Sequence, residues 1–368
     1  MRRGKIIAIV ALALAGLIVV ALVVVAQLDF NRYKPLIAEQ VKAATGRTLA
    51  IDGDIRLAPS LVPSLAVEKV RFQNAPFGSR PDMITAERLE AAVALLPLLR
   101  GEIDIRRVTL IAPDILLETD KTGRGNWEFS ASSAPVASSA APAQDMALPL
   151  LGALTIQDGR LTYRDGLSGK ATTLEVKRMT AAGEPRAIAL EGAYDGTPLA
   201  LKTVLRLRTR TADFSDVQAT FGGSDLAGSA AFDWSGRPSI TADLRAKLID
   251  LADFAPASAA APARRDDGRI FSNDSIDLSA LRAYDGKLDL QVAAVRHGKL
   301  TLQDMAAGAI LEKGRVTLPS FAARFADGAL SGSGHLALAG PGLETALVFT
   351  ADQLDLALLA SALDAAMC

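Results

Sequence analysis

Residues Ile6 to Ala26 form one apolar run with no charge inside it, and Arg2, Arg3 and Lys5 precede it. A helix rises about 1.5 Å per residue, so roughly 20 such residues span the ~30 Å hydrocarbon core of a bilayer. The run constrains everything after it by deciding which solvent the rest of the chain meets. Beyond it come only Arg32 and Lys34, offset by Asp29. Positive charge stays on the cytoplasmic side, so the asymmetry predicts a cytoplasmic start, a single-pass anchor within residues 1–28 and export of the bulk of the chain. A cleaved signal peptide is the rival reading, with Val24 and Ala26 as a small-residue site. Signal h-regions run only about 7–15 residues, which favours the anchor over cleavage.

The remaining length suffices for two or three packed units. Across the chain 40 basic and 41 acidic residues give a net charge of -1, with no basic stripe for nucleic acid. Aromatics make up 5%, too few for base-stacking platforms. The one cysteine, Cys368, cannot form an internal disulfide, and as the last residue it is misplaced for prenylation.

The residues from Asn31 to Gly46 read as a short helix: Asn31 as N-cap, Pro35 in the first turn and Gly46 as the stop. Tyr33, Leu36, Ile37, Val41 and Ala44 share one face, which either lids a sheet end or rests on a membrane surface. From Thr48 the period shortens to two. Asp52-Gly-Asp54 reads as a turn between strands. Leu65 and Val67, then Val70 and Phe72, alternate in opposite phase, which predicts a bulge near Glu68-Lys69. Ile103 and Ile105, then Val108 and Leu110, show the same change. In Leu201–Arg210, Leu201, Thr203, Leu205, Leu207 and Thr209 point one way and Lys202, Arg206, Arg208 and Arg210 the other, the pattern of an antiparallel sheet with one wet face.

Two stretches rich in Ala, Ser and Pro, 130–147 and 255–268, separate segments at 29–129, 148–254 and 269–368, the last of which is expected to end in a short C-terminal helix. The last two share a gapless repeat: Thr155–Asp165 aligns with Ala294–Asp304. Asp158-Gly159 is a strong hairpin dipeptide, pairing Ile156 with Leu161 and Leu154 with Tyr163. His297-Gly298 would do the same for Val295 with Leu300 and Ala293 with Leu302. Lys313–Leu318 and Ala326–Leu330 are weaker copies. Repeated hairpins of this kind build a sheet that buries one face along its length.

Chemistry is sparse. His297 and His335 are far apart, with no cysteine or carboxylate spacing that would complete a metal site. Asp52 and Asp54 suit a turn better than calcium, and Ser331-Gly-Ser-Gly-His335 lacks the nucleophile-elbow pattern. No P-loop or dinucleotide fingerprint is present. No catalytic, cofactor or metal residue is expected, and Trp127 and Trp234 read as packing residues.

The order and spacing of Leu28-Asp-Phe-Asn-Arg-Tyr-Lys-Pro35, Ala44-Thr-Gly-Arg-Thr48, Asp52–Leu57, Val67–Asn74, Ile103–Pro113 and Gly125-Asn-Trp-Glu128 resemble the AsmA family of envelope proteins. That resemblance implies an N-terminal transmembrane helix followed by a mainly β body with a few short helices: an elongated, curved antiparallel sheet with an apolar groove. It implies inner-membrane anchoring, a periplasmic body, phospholipid acyl chains as ligands and other envelope proteins as partners. Many relatives are longer, and at ~3.3 Å per residue and ~4.8 Å between strands this sheet is short for crossing a periplasm unaided. Alternation alone leaves open whether the apolar faces close on each other as a core; the resemblance favours an open groove. Its candidate lining residues are Leu154, Ile156, Leu161 and Tyr163 in the middle segment. Leu205 and Leu207, then Val295, Leu300 and Leu302, extend the set. Passing phospholipid along this groove is the expected function, and assisting outer-membrane protein assembly is the alternative.

Overall fold

A computed structural model of the chain describes residues 29–58, 63–94, 105–129, 152–254, 283–298, 300–325, 328–339 and 342–353. The apolar run Ile6–Ala26, the stretches 130–147 and 255–268 and the expected C-terminal helix lie outside the described residues. No helix among the described residues is long and apolar enough to cross a membrane. The chain is mainly β and divides into two compact units, residues 1–183 with 191–196 and residues 184–190 with 197–368.

The first unit opens with a 3-10 turn, Phe30–Tyr33, that runs into helix α1, Lys34–Thr45. Gly46 ends the helix at φ 73, a left-handed conformation that glycine adopts without steric cost. Asp29, rather than Asn31, caps the start: its Oδ1 accepts the Asn31 N–H at 2.9 Å. The Asn31 side chain is used elsewhere, accepting the Ile55 N–H at 2.9 Å and tying the turn to the sheet. The expected helix face divides. Ile37 and Val41 are half-buried, whereas Tyr33, Leu36 and Ala44 stay exposed.

The sheet of this unit comprises β1 (Leu49–Ile51), β2 (Ile55–Ala58), β3 (Ser64–Gln73), β4 (Asp82–Val93), β5 (Ile105–Ile111), β6 (Asp114–Glu118), β7 (Ala153–Arg164) and β8 (Ala171–Ala182). Strands β1 and β2 both pair with β3, so Asp52-Gly-Asp54 is an excursion along one sheet edge and does not turn the chain back. β3 pairs with β4, β4 with both β5 and β6, and these two with β7, which pairs with β8. Strand β9 (Arg186–Tyr194) is divided between the units. In the second unit β10 (Thr197–Arg208), β11 (Thr211–Phe221), β12 (Ser224–Asp233), β13 (Ser239–Asp250), β14 (Asp285–His297), β15 (Leu300–Glu312), β16 (Arg315–Phe325), β17 (Gly328–Ala339) and β18 (Gly342–Asp352) pair in sequence order.

The sheet is mixed, which corrects the antiparallel expectation. β7 runs parallel to β5 and β6, and β14 runs parallel to β13. A parallel neighbour requires a crossover of a dozen or more residues. The two connections that provide it, 119–152 and 251–284, contain the two Ala/Ser/Pro-rich stretches.

Asp158-Gly159 makes no hairpin. β7 passes straight through it, so Ile156 and Leu161 lie on one strand and pair with Met179 and Leu174 of β8. A type I′ turn needs positive φ at both central residues. Asp195-Gly196 (φ 47 and 82) and Lys313-Gly314 (φ 49 and 85) satisfy this, and the chain reverses at both. At Asp158 only the aspartate is left-handed, at φ 52. Gly159 is buried with its Cα facing the Pro113 ring, where a Cβ would stand 3.2 Å away. The second copy of the repeat does reverse, but His297 pairs with Leu300 and Val295 with Leu302, a register one position later than expected. Thr209 likewise leaves the alternation of β10, because it stands in the turn before β11.

Near Glu68-Lys69, where the phase change predicts a bulge, Lys69 is left-handed at φ 52; the extra residue lies in the edge, 52–54 standing against 68 and 69, while the register with β4 continues unshifted from Glu68 with Arg88 to Val70 with Ala86. The same device recurs inside strands at Asp158, at Asp216 (φ 52) and at Asp304 (φ 48). A further register shift falls opposite Arg106, between the pairs Ala92 with Arg107 and Val93 with Ile105. One residue out of phase restores the alternation to the same face, which lets strands of ten or more residues stay apolar on one side.

Candidate functional site

Residues directly opposite one another in adjacent strands project from the same face of a sheet. The register therefore lays out the apolar surface of each unit. In the first unit Leu57, Leu65, Ala91, Val108, Leu154 and Ala181 form one row across β2, β3, β4, β5, β7 and β8. Ile55, Val67, Leu89, Leu110, Ile156 and Met179 form the next. Past the bulges, Leu49, Phe72, Ile84, Ile115, Leu161 and Leu174 form a third. Tyr163 follows, opposite Leu117 and Thr172.

The second unit repeats the arrangement. Leu205, Phe214, Ala230, Ala242, Leu288 and Ala309 align across β10 to β15. Leu207, Ala212, Phe232, Ile240, Gly286 and Leu311 align beside them and continue into Val316 and Leu336. A third row runs from Leu244 through Leu290, Ala307, Phe321 and Gly332 to Phe349. Gly332 is the small member by necessity, since a Cβ there would strike the Phe349 ring.

Most side chains in these rows are half-buried, neither sealed in a core nor fully wet. Among the described residues α1, which packs against β1, is the one α-helix, and no helix lies along the rows. Among the described residues Val292 and Asn126 are the largest side chains that are fully buried.

The alternate positions carry charge. Arg71, Thr85, Asp114, Arg160 and Glu175 form the row next to the Phe72 row. Arg80 bonds Asp114 at 2.7 Å, Arg160 bonds Glu175 at 3.1 Å and Lys177 bonds Glu191 at 2.7 Å. Asp52 receives Arg71 at 2.7 Å, and that hydrogen bond holds its carboxyl below the usual carboxylate range. Asp54 is engaged by Arg56 at 3.0 Å. In the second unit Arg208 meets Asp213, Arg237 meets Asp285 and Arg296 meets Asp250. Such exposed pairs contribute little stability each, about 0–1 kcal/mol, but they mark this face as the wet one.

One segment folds over the apolar rows. Residues 119–129 follow β6 and set Trp127 against Tyr163, with ring centroids 6.4 Å apart, and Phe129 edge-on to Phe72 at 5.9 Å. A buried polar cluster fixes it. Asn126 Nδ2 donates to Asn74 Oδ1 (2.9 Å) and to the Leu116 carbonyl (2.8 Å), and its Oδ1 accepts the Glu118 N–H (3.0 Å). The Glu118 carboxylate accepts from Asn74 Nδ2 at 2.7 Å and the Ser79 N–H at 2.8 Å. Periodicity could not reveal this cluster, because its members lie in turns and at strand ends. In the sequence Gly125-Asn-Trp-Glu128 is legible as a motif, with Trp127 as a packing residue, and not as part of a polar cluster.

The expected lining residues are not gathered at one point. Leu154, Ile156, Leu161 and Tyr163 lie along β7 in the first unit; Leu205 and Leu207 occupy adjacent rows of β10, and Val295, Leu300 and Leu302 the end of the β14–β15 hairpin. Tyr163 and Leu207 are the exposed members, and the others are half-buried. Trp234 packs on Phe232 at 5.3 Å. His335 stands 3.7 Å from Glu344 across β17 and β18.

A curated relative, the AsmA family protein YhjG of Escherichia coli strain K12, is 32% identical over 141 residues, which cover 35% of this chain and 21% of that protein. The match thus spans about a fifth of the relative's length. The AsmA family model matches residues 1–247. With well over half of its length under that model, the chain belongs to the AsmA family.

Proposed function

We propose that this chain is an envelope protein that binds phospholipid acyl chains along the apolar faces of its sheets and passes them onward. One observation carries the reading: half-buried aliphatic side chains stand in register over six or more strands, while ion pairs occupy the other face. Family membership supports an envelope role in the broad sense. A compact core would bury these rows; a face left half-open can instead hold a hydrocarbon chain. Each methylene transferred from water onto it contributes up to about 0.8 kcal/mol, without a specific polar contact. Movement along such a face needs no catalytic residue, since neighbouring rows offer nearly equal contacts. The run Ile6–Ala26 would tether the body beside a bilayer that supplies lipid.

Photocrosslinking tests this directly. A crosslinking residue in place of Leu154, Ile156 or Leu205 should capture lipid in cells, and one in place of Lys202 or Arg206 should not. Lipid adducts from the charged positions with none from the apolar ones would overturn the face assignment. Polypeptide adducts alone at the apolar positions would point instead to a role in outer-membrane protein assembly.

A further inference from the structure

Every residue from Glu344 to Gln353 is exposed. In β18 these include Leu347 at 52% and Phe349 at 54% on the apolar face, and Val348 at 67% on the other. The strands beside it differ. On the same apolar face Val316, Leu318 and Phe321 of β16 and Leu336 of β17 are half-buried. Gly334 and Gly332 of β17 stand opposite Leu347 and Phe349, so no β17 side chain shelters either one. Phe349 reaches across to Phe321, with ring centroids 6.3 Å apart, and is still half-open to solvent. Neighbouring large apolar side chains left this open mark a surface that meets something.

The chain itself supplies a match. Residues 354–368 follow β18 directly, contain no Gly or Pro, and are rich in Ala and Leu, strong helix formers. Leu356, Leu359, Leu363 and Met367 recur at the spacing of one helix face, and Ser361 and Asp364 fall on the opposite one. A helix this short is marginal in water until its apolar face packs on something. The exit from β18 points towards the open face. Gln353 is left-handed at φ 55, which turns the chain out of the strand. A Cβ on Gly328 would stand 2.6 Å from the Asp352 carbonyl oxygen and 2.8 Å from the Gln353 backbone. By alternation Gly328 shares its face with Leu330 and Gly332, so the chain leaves β18 on the apolar side.

We propose that residues 354–368 fold back as a helix over β18 and seat Leu356, Leu359, Leu363 and Met367 on Leu347 and Phe349. The chain makes this contact with itself, so it stands whether or not the sheet carries acyl chains. A tether of one residue gives the segment an effective concentration of order mM, an advantage over any separate partner. At about 1.5 Å per residue the helix spans about 21 Å, roughly six strand residues at ~3.3 Å each, and brings Cys368 level with Thr345. Thr345 lies on the apolar face opposite Leu336, and its neighbour Glu344 lies on the other face opposite Ala337.

Cys368, the one cysteine of the chain, makes the contact measurable. The full chain, in detergent and carrying Thr345→Cys or Glu344→Cys, is oxidised at high dilution, and disulfide formation is timed by mass spectrometry of unreduced peptides. Thr345→Cys should close on Cys368 at least about tenfold faster than Glu344→Cys, because a docked tail is presented to one face only. Adding Leu347→Asp should abolish that difference, and adding Val348→Asp, on the other face, should preserve it. Unchanged hydrogen exchange in β14 and β15 shows that each variant is folded. Equal rates at the two positions overturn the proposal, since a tail free in solvent reaches both. Closure at neither position, or faster closure at Glu344→Cys, overturns it as well. A disulfide joining two chains, identified in a mixture of isotopically light and heavy protein, overturns the tail as occupant and assigns the surface to a second copy.

Discussion

Replacing Asn126 by Ala should release the 119–129 segment from the sheet. The side chain is 0% exposed and makes three hydrogen bonds, to Asn74 Oδ1, to the Leu116 carbonyl and from the Glu118 N–H. Asn74 Oδ1 would keep a partner, since it also accepts the Ala75 N–H at 2.8 Å. The Leu116 carbonyl and the Glu118 N–H would lose theirs in a place closed to water. An orphaned buried group costs about 1–3 kcal/mol, so two together cost roughly 2–6 kcal/mol of local stability. At about 1.4 kcal/mol per factor of ten, amide exchange at Glu118 should accelerate roughly 30- to 20,000-fold. Hydrogen-exchange mass spectrometry on peptides covering 114–129 reads this, with peptides from β15 to β17 as the internal reference. Acrylamide should also reach Trp127 more readily. A change in exchange of less than about threefold would refute the reasoning, because it would mean that the cluster is not what holds the segment.

Val292→Ala should cost about 1–3 kcal/mol in thermal or urea unfolding, because Val292 is 2% exposed and the space it leaves has little means of closing. Gly332→Ala should loosen β18 selectively: the added methyl would strike the Phe349 ring and approach the Val348 carbonyl at 2.8 Å, so exchange should rise in 342–352 and not in β13 or β14. The hydrogen bond from Arg296, followed by one from the Ala252 N–H, holds the Asp250 carboxyl below its ordinary range. A depressed carboxyl favours the fold above its unfolded pKa of about 3.9 and loses that contribution as pH falls through the folded value. Asp250→Asn should therefore flatten the acid side of a melting-temperature profile and lower the melting temperature at neutral pH. An unchanged acid limb would refute the assignment.

Alternation was legible wherever a strand's two faces differ chemically. Leu201, Thr203, Leu205 and Leu207 against Lys202 and Arg206 needed no structure to sort, because period two is a property of extended backbone itself. Phase changes announced the left-handed residue Lys69 for the same reason. Turn chemistry was less reliable. Asp158-Gly159 and Asp195-Gly196 are the same dipeptide, yet one continues a strand and the other reverses it. The difference lies in what surrounds Gly159: pairing with β8 on one side and the Pro113 turn on the other. A gapless repeat of eleven residues therefore did not become a structural repeat.

By itself the amino-acid order determined a chain of one-sided strands with their apolar positions, because face follows from spacing. It also carried the motifs that mark AsmA membership. Tertiary structure alone decided which strands run parallel, since that depends on where a chain re-enters a sheet after the long connections at 119–152 and 251–284. It alone joined Asn74, Glu118 and Asn126 into one buried cluster. Contacts between residues forty or more positions apart, such as Asn74 with Glu118 and with Asn126, leave no period in a sequence.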